Sequence, residues 1–141
     1  MVETDSIRLA DFTLHTFSGG FNARKLTADI VSINTTSGDI HLKELDSKEL
    51  TIKGSSAKVL MSCKEFNIQN TNIGITSGNI TLELPETAEF SYRIITTSGK
   101  VKSDFPITVT SKMNSEGQIG NKVNKVTLQV TSGDIAILRY N

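Results

Sequence analysis

Thr36-Ser37-Gly38-Asp39-Ile40 recurs as Thr76-Ser77-Gly78-Asn79-Ile80, Thr97-Ser98-Gly99-Lys100-Val101 and Thr131-Ser132-Gly133-Asp134-Ile135. Weaker copies are Phe17-Ser18-Gly19-Gly20-Phe21, Ser55-Ser56-Ala57-Lys58-Val59 and Ser115-Glu116-Gly117-Gln118-Ile119, which makes seven in 141 residues. Take each Gly as an origin, with Ala57 in its place in the third copy. The origins Gly19, Gly38, Ala57, Gly78, Gly99, Gly117 and Gly133 are then 19, 19, 21, 21, 18 and 16 residues apart. A near-constant period of this size marks a solenoid, in which each unit buries its apolar face only by stacking on the next.

The columns of the repeat agree with that reading. Two residues after the origin stand Phe21, Ile40, Val59, Ile80, Val101, Ile119 and Ile135, all apolar. Five before it stand Leu14, Ile33, Ile52, Ile73, Ile94, Lys112 and Leu128, apolar except for Lys112. Seven before it, Phe12, Val31, Leu50, Tyr92 and Val126 are apolar or aromatic; Thr71 and Thr110 are not. A fourth column, twelve before it, runs Ile7, Leu26, Leu45 and Phe66. Polar residues such as Asn34, Lys53, His41 and Glu83 alternate with these, the period-two signature of strands with one buried face. The expected fold is all-β: a parallel β-solenoid of about seven rungs of 16 to 21 residues, with residues 1–141 one domain, whole or excised from a longer protein.

The turn has its own requirements. Glycine at the origin fits a backbone with positive φ, or one approached too closely for a Cβ. Gly19, Gly38, Gly78, Gly99, Gly117 and Gly133 are therefore read as structural turn residues. Ser37, Ser77, Ser98 and Ser132, with Ser18 and Ser56, would form a ladder spaced by about 4.8 Å, their hydroxyls bonding local backbone. Leu45–Glu49 and Leu84–Phe90 read as corners, and Pro106–Lys125 as a distorted sixth rung or a hairpin leaving the stack. Rungs are expected to stack in chain order with right-handed crossovers, the ends capped by Met1–Arg8 and Leu138–Asn141.

The Thr-Ser-Gly-Asp-Ile copies, Leu84-Pro85-Glu86 leading into Thr96-Thr97-Ser98-Gly99, and the closing stretch Leu128–Ile135 resemble the bacterial "putative adhesin" domains of unknown function, over about residues 10–138. The resemblance implies a β-solenoid, often carried by envelope or surface proteins of bacteria. It supplies no catalytic residues.

Composition narrows the function classes. Fifteen Lys and Arg balance fifteen Asp and Glu, and a net charge of +0 disfavours nucleic acid, which recruits a basic patch. The single cysteine, Cys63, excludes an internal disulfide and reads as a small buried hydrophobe. Met1–Asp5 has neither a basic region nor an apolar stretch, so no signal peptide is read, and no apolar run has membrane-spanning length. That leaves a cytoplasmic protein, or an envelope or surface fragment whose targeting segment lies elsewhere. His15 and His41 face outward by parity and make no three-ligand zinc set. No cofactor motif is present.

Asp39 and Asp134 share the column after the origin, with Lys58, Asn79, Lys100 and Gln118 between them. In chain order they stand five rungs apart, about 24 Å, whereas glycoside hydrolysis needs carboxyls roughly 5 to 10 Å apart. Asp5 with Asp11, or Glu44 with Asp46 and Glu49, are the other acids that could cluster. The expected function is a non-catalytic, adhesin-like binding or scaffold module contacting a protein or a glycan, with oligomers possible through open solenoid edges. A carbohydrate-active β-helix enzyme is the alternative. Ice binding through the Ser/Thr ladder is disfavoured, since the ladder lies on a corner.

Overall fold

A computed structural model describes residues 2–4, 7–63, 66, 68–105, 114–120 and 124–139. Among them every regular element is a strand: β1 (Val2–Thr4), β2 (Ile7–Ser18), β3 (Phe21–Ala23), β4 (Leu26–Ser37), β5 (Ile40–Lys43), β6 (Leu45–Ser62), β7 (Asn70–Leu84), β8 (Phe90–Ser98), β9 (Val101–Ser103), β10 (Asn114–Ile119), β11 (Lys125–Ser132) and β12 (Ile135–Arg139). The pairing is parallel throughout, apart from β10 against β8. The architecture is β-solenoid-like.

Two ladders meet at the repeated glycine. The first runs β2, β4, the front half of β6, the front half of β7, β11 and β8. The second runs β1, β3, β5, the back halves of β6 and β7, β12 and β9. Registers follow the sequence columns. Leu14, Ile33, Ile52, Ile73, Leu128 and Ile94 are successive neighbours. So are Phe21, Ile40, Val59, Ile80, Ile135 and Val101. Both columns point into one core, where Ile33, Ile52, Ile73, Ile80, Leu128 and Ile135 are fully buried. β-branched side chains suit such doubly flanked parallel strands.

The stack is not in chain order. β11 and β12 lie between β7 on one side and β8 and β9 on the other, so the last repeat is intercalated between the two that precede it. Side-chain size accounts for this. Val126, Leu128 and Val130 of β11 continue the slender aliphatic core of β7. The bulkier inward residues of β8 sit at the far end in an aromatic cluster, with Phe90 centroids 5.8 Å from Phe66, 6.4 Å from Tyr92 and 5.7 Å from Phe105. Aromatic rings favour such edge-to-face contacts.

Several expectations change accordingly. Gly117 is not a rung turn; it lies in β10, antiparallel to β8, and faces Tyr92. A Cβ there would stand 2.7 Å from the Tyr92 ring carbon Cζ, so the glycine makes room for an aromatic ring. Leu45–Glu49 is strand rather than corner, and the bend falls on Glu44 with φ 50°. Leu138 and Arg139 cap no end, because they continue β12 beside Glu83 and Leu84. Residues 85–89 do form a corner, closed by Ala88 N–H to the Pro85 carbonyl at 2.9 Å. Pro106, Lys112 and Asn121 lie outside the described residues.

Candidate functional site

The outward face of the first ladder carries a groove of about 910 Å³. Its floor holds the column four residues before the origin: His15, Asn34, Lys53, Gly74 and Gln129, in register across β2, β4, β6, β7 and β11. Beside it run Phe17, Thr36, Ser55, Thr76 and Thr131, two before the origin, with Thr16, Thr35, Gly54, Ile75 and Asn72 completing the lining. Five strand levels at the parallel spacing make it about 19 Å long.

Hydroxyl and amide groups predominate in this lining. Among the described residues, Lys53 and His15 are its only ionisable side chains, and no carboxylate lines it. Phe17, 86% exposed, stands at the rim as the most exposed large apolar side chain among the described residues. Gly74 interrupts the floor: a Cβ there would meet nothing within 4 Å, and its φ is not positive. Glycine weakens a strand interior, and neither backbone geometry nor crowding requires one here.

The glycines of the turn are different. Gly19, Gly38, Gly78, Gly99 and Gly133 have φ of 101°, 146°, 144°, 152° and 146°. A Cβ on Gly38, Gly78, Gly133 or Gly99 would fall within the radius of the carbonyl oxygen of Gly19, Ala57, Gly78 or Gly133 respectively. Ala57 occupies the same column without positive φ.

Beside the turn, Ser18, Ser37, Ser56, Ser77, Ser132 and Ser98 stack in that order, all exposed. The hydrogen bonds that tie levels together at this corner come from the next column. Lys58 N–H donates to Asp39 Oδ1 at 3.3 Å, Asp134 N–H to Asn79 Oδ1 at 2.9 Å and Lys100 N–H to Asp134 Oδ1 at 2.9 Å. Each short acidic or amide side chain thus accepts from the backbone of the following level. Asp39 and Asp134 are three levels apart, about 14 Å, rather than five, and Gln118 is not in their column. The separation exceeds the span of a glycosidase carboxyl pair, and the carboxylates serve the backbone.

His41 lies on β5, half-buried and away from the groove. Cys63 is fully buried, and desolvation pushes its thiol from 9.0 up to about 12, against a lowering by a hydrogen bond with the Leu45 backbone and with a further rise from the charge of Asp46. A thiol held protonated is no nucleophile at neutral pH. Asp11, Glu44, Asp46 and Glu49 are exposed, Asp5 lies outside the described residues, and no three His, Cys, Asp or Glu among the described residues gather around a potential metal position. Among the described residues, no helix is long and apolar enough to cross a membrane.

The profile of the Toastrack DUF4097 family matches residues 2–138. The chain belongs to that family. The function of this Toastrack family is uncharacterised. Among solved structures, the chain is similar to one described as a "putative cell adhesion protein" from Clostridium sporogenes. The identity is 15%, the coverage 99% of this chain and 94% of the other, and the TM-score 0.60. At that identity the likeness concerns the fold alone. No curated protein matches this Toastrack chain.

Sequence reasoning did not find the groove. Its signal was present in one outward column, His15-Asn34-Lys53-Gly74-Gln129, where a glycine sits inside a strand pattern.

Proposed function

We propose that residues 1–141 form one β-solenoid domain, six parallel rungs with an antiparallel strand beside the last, that works as a non-catalytic, adhesin-like binding module. The observation that carries this is the groove: a long, preformed, open surface of hydroxyl and amide groups across five levels, with no carboxylate among the described residues that line it. Such a lining offers hydrogen bonds and shape along an extended ligand. Acid–base hydrolysis would need an acid held within reach of the reacting bond. The bacterial neighbour described as a cell adhesion protein is consistent with a role at the bacterial envelope or surface, should a longer protein carry the domain there.

The test is to incubate the purified domain with immobilised polysaccharides, peptidoglycan and surface proteins, measuring binding and product release together. Saturable binding without turnover is expected. Turnover that disappears in Asp39→Asn or Asp134→Asn would replace this reading with the enzyme.

A further inference from the structure

We propose that the groove holds a linear glycan chain lying across the strands, about one hexose per strand level, in the space left by Gly74. This rests on the reading of the groove as the binding surface and names what fills it.

Three observations converge. The first is the gap at Gly74. Its neighbours in the floor column, Lys53 and Gln129, carry long side chains, and a side chain on residue 74 would project into open space. Strand glycines occur at bulges, at tight bends and where a ligand approaches the backbone closely; the register runs unbroken through Gly74 and its φ is not positive, which leaves the last. The second is the chemistry. Asn34, Asn72 and Gln129 each present a donor and an acceptor on one amide, which suits adjacent sugar hydroxyls. Phe17 offers an exposed ring at the rim against which an apolar sugar face can rest. The third is the pitch. The hydroxyls of Thr36, Ser55, Thr76 and Thr131 repeat over four successive levels at the strand spacing of about 4.8 Å, close to the length of one hexose in an extended β-1,4-linked chain. A ligand with that repeat meets a hydroxyl at each of those four levels.

Charge narrows the class further. Lys53 supplies a positive charge to a groove whose described lining holds no carboxylate, so a chain carrying uronic-acid carboxylates is favoured over a neutral one.

The experiment is calorimetric titration of the 141-residue chain with β-1,4-linked mannuronate oligomers and with cello-oligosaccharides, two to six units long. Affinity should rise with length up to four or five units and then level off. The acidic series should bind more tightly, with an advantage that shrinks as salt is added. Gly74→Phe should weaken binding by about tenfold or more, a loss of about 1.4 kcal/mol, with the melting temperature retained. Phe17→Ala should weaken it by a smaller factor.

Oligosaccharide binding that ignores chain length, or that survives Gly74→Phe in a folded protein, overturns the glycan groove and leaves the domain a binding module. So does binding of an extended Ser/Thr-rich peptide, but of no sugar, in this groove. A chain that binds none of the polysaccharides, peptidoglycan or proteins offered fails both readings.

Discussion

Replacing Gly78 with alanine tests the central feature of the fold. Gly78 sits mid-stack with φ 144°, and a new Cβ would overlap the Ala57 carbonyl oxygen and stand 2.8 Å from its carbon. Two costs follow. An L-residue held in this region of backbone space is strained by roughly 1–3 kcal/mol. The overlap is with backbone, so no rotamer change relieves it and the adjacent levels must separate. That loosens the β6–β7 ladder bonds on either side of the overlap, at Ser56 with Ser77 and at Val59 with Ile80. At about 1 kcal/mol for each bond, the total for Gly78→Ala is roughly 3–5 kcal/mol. A domain of ordinary stability has only about 5–15 kcal/mol to lose. Gly74→Ala is the matched control, since its Cβ meets nothing; it should be neutral or stabilising by up to about 1 kcal/mol. Urea denaturation of both proteins, compared at equal m-values, decides the matter. Equal midpoints for Gly78→Ala and Gly74→Ala would refute the close-approach account of the glycine column.

Ala57 shares that column without positive φ, so Ala57→Gly should destabilise by roughly 0.5–1 kcal/mol by freeing the unfolded backbone, and a gain in urea midpoint would contradict this. Thr71 Oγ1 is buried without a partner among the described residues, between Leu50 and Val126 in the core column. Thr71→Val should therefore raise stability by about 1 kcal/mol in thermal melts, whereas a loss would reveal a bound partner for the hydroxyl. The Cys63 thiol ionises near 9.0 when unfolded and near 12 when folded, so the unfolded state loses its proton first as pH rises. Stability from this group is intact below pH 9 and falls between 9 and 12, with a slope of up to about 1.4 kcal/mol per pH unit. Cys63→Ala should show a correspondingly shallower decline in urea midpoints measured from pH 8 to 10.5, and identical slopes would mean that the thiol is not desolvated.

The strands, their inward faces and the corner glycines were legible because burial imposes the same demand at every level: Ile33, Ile52 and Ile73 differ in neighbours but not in environment. That sameness is also why the order of levels was not legible. A column records which residues point inward and says nothing of which repeat lies beside which. Only the contrast between the aliphatic inward face of β11 and the aromatic one of β8 discriminates, and it gains meaning once Phe66 and Phe105 are seen to gather around Phe90. The weak copy around Gly117 misled for a related reason. Glycine there accommodates the Tyr92 ring, a contact between strands that pair antiparallel, and its sequence looks the same as a turn. At the corner, the Asp39, Asn79 and Asp134 column read as solvated charge because an inter-level bond to backbone leaves no trace in the spacing. The groove was hidden in the polar half of the alternation, where any hydrophilic residue satisfies the pattern.

The intercalated repeat also bears on how the chain is made. A ribosome delivers residues 70–84 and 90–103 before residues 125–139, yet the first two segments never touch as ladder partners in the finished stack. Until the last segment emerges, one edge of β7 and one edge of β8 stand open with their backbone groups unanswered. Such edges pair readily with foreign strands. The final segment closes both at once, so protection from misassociation during synthesis arrives in a single late step rather than level by level.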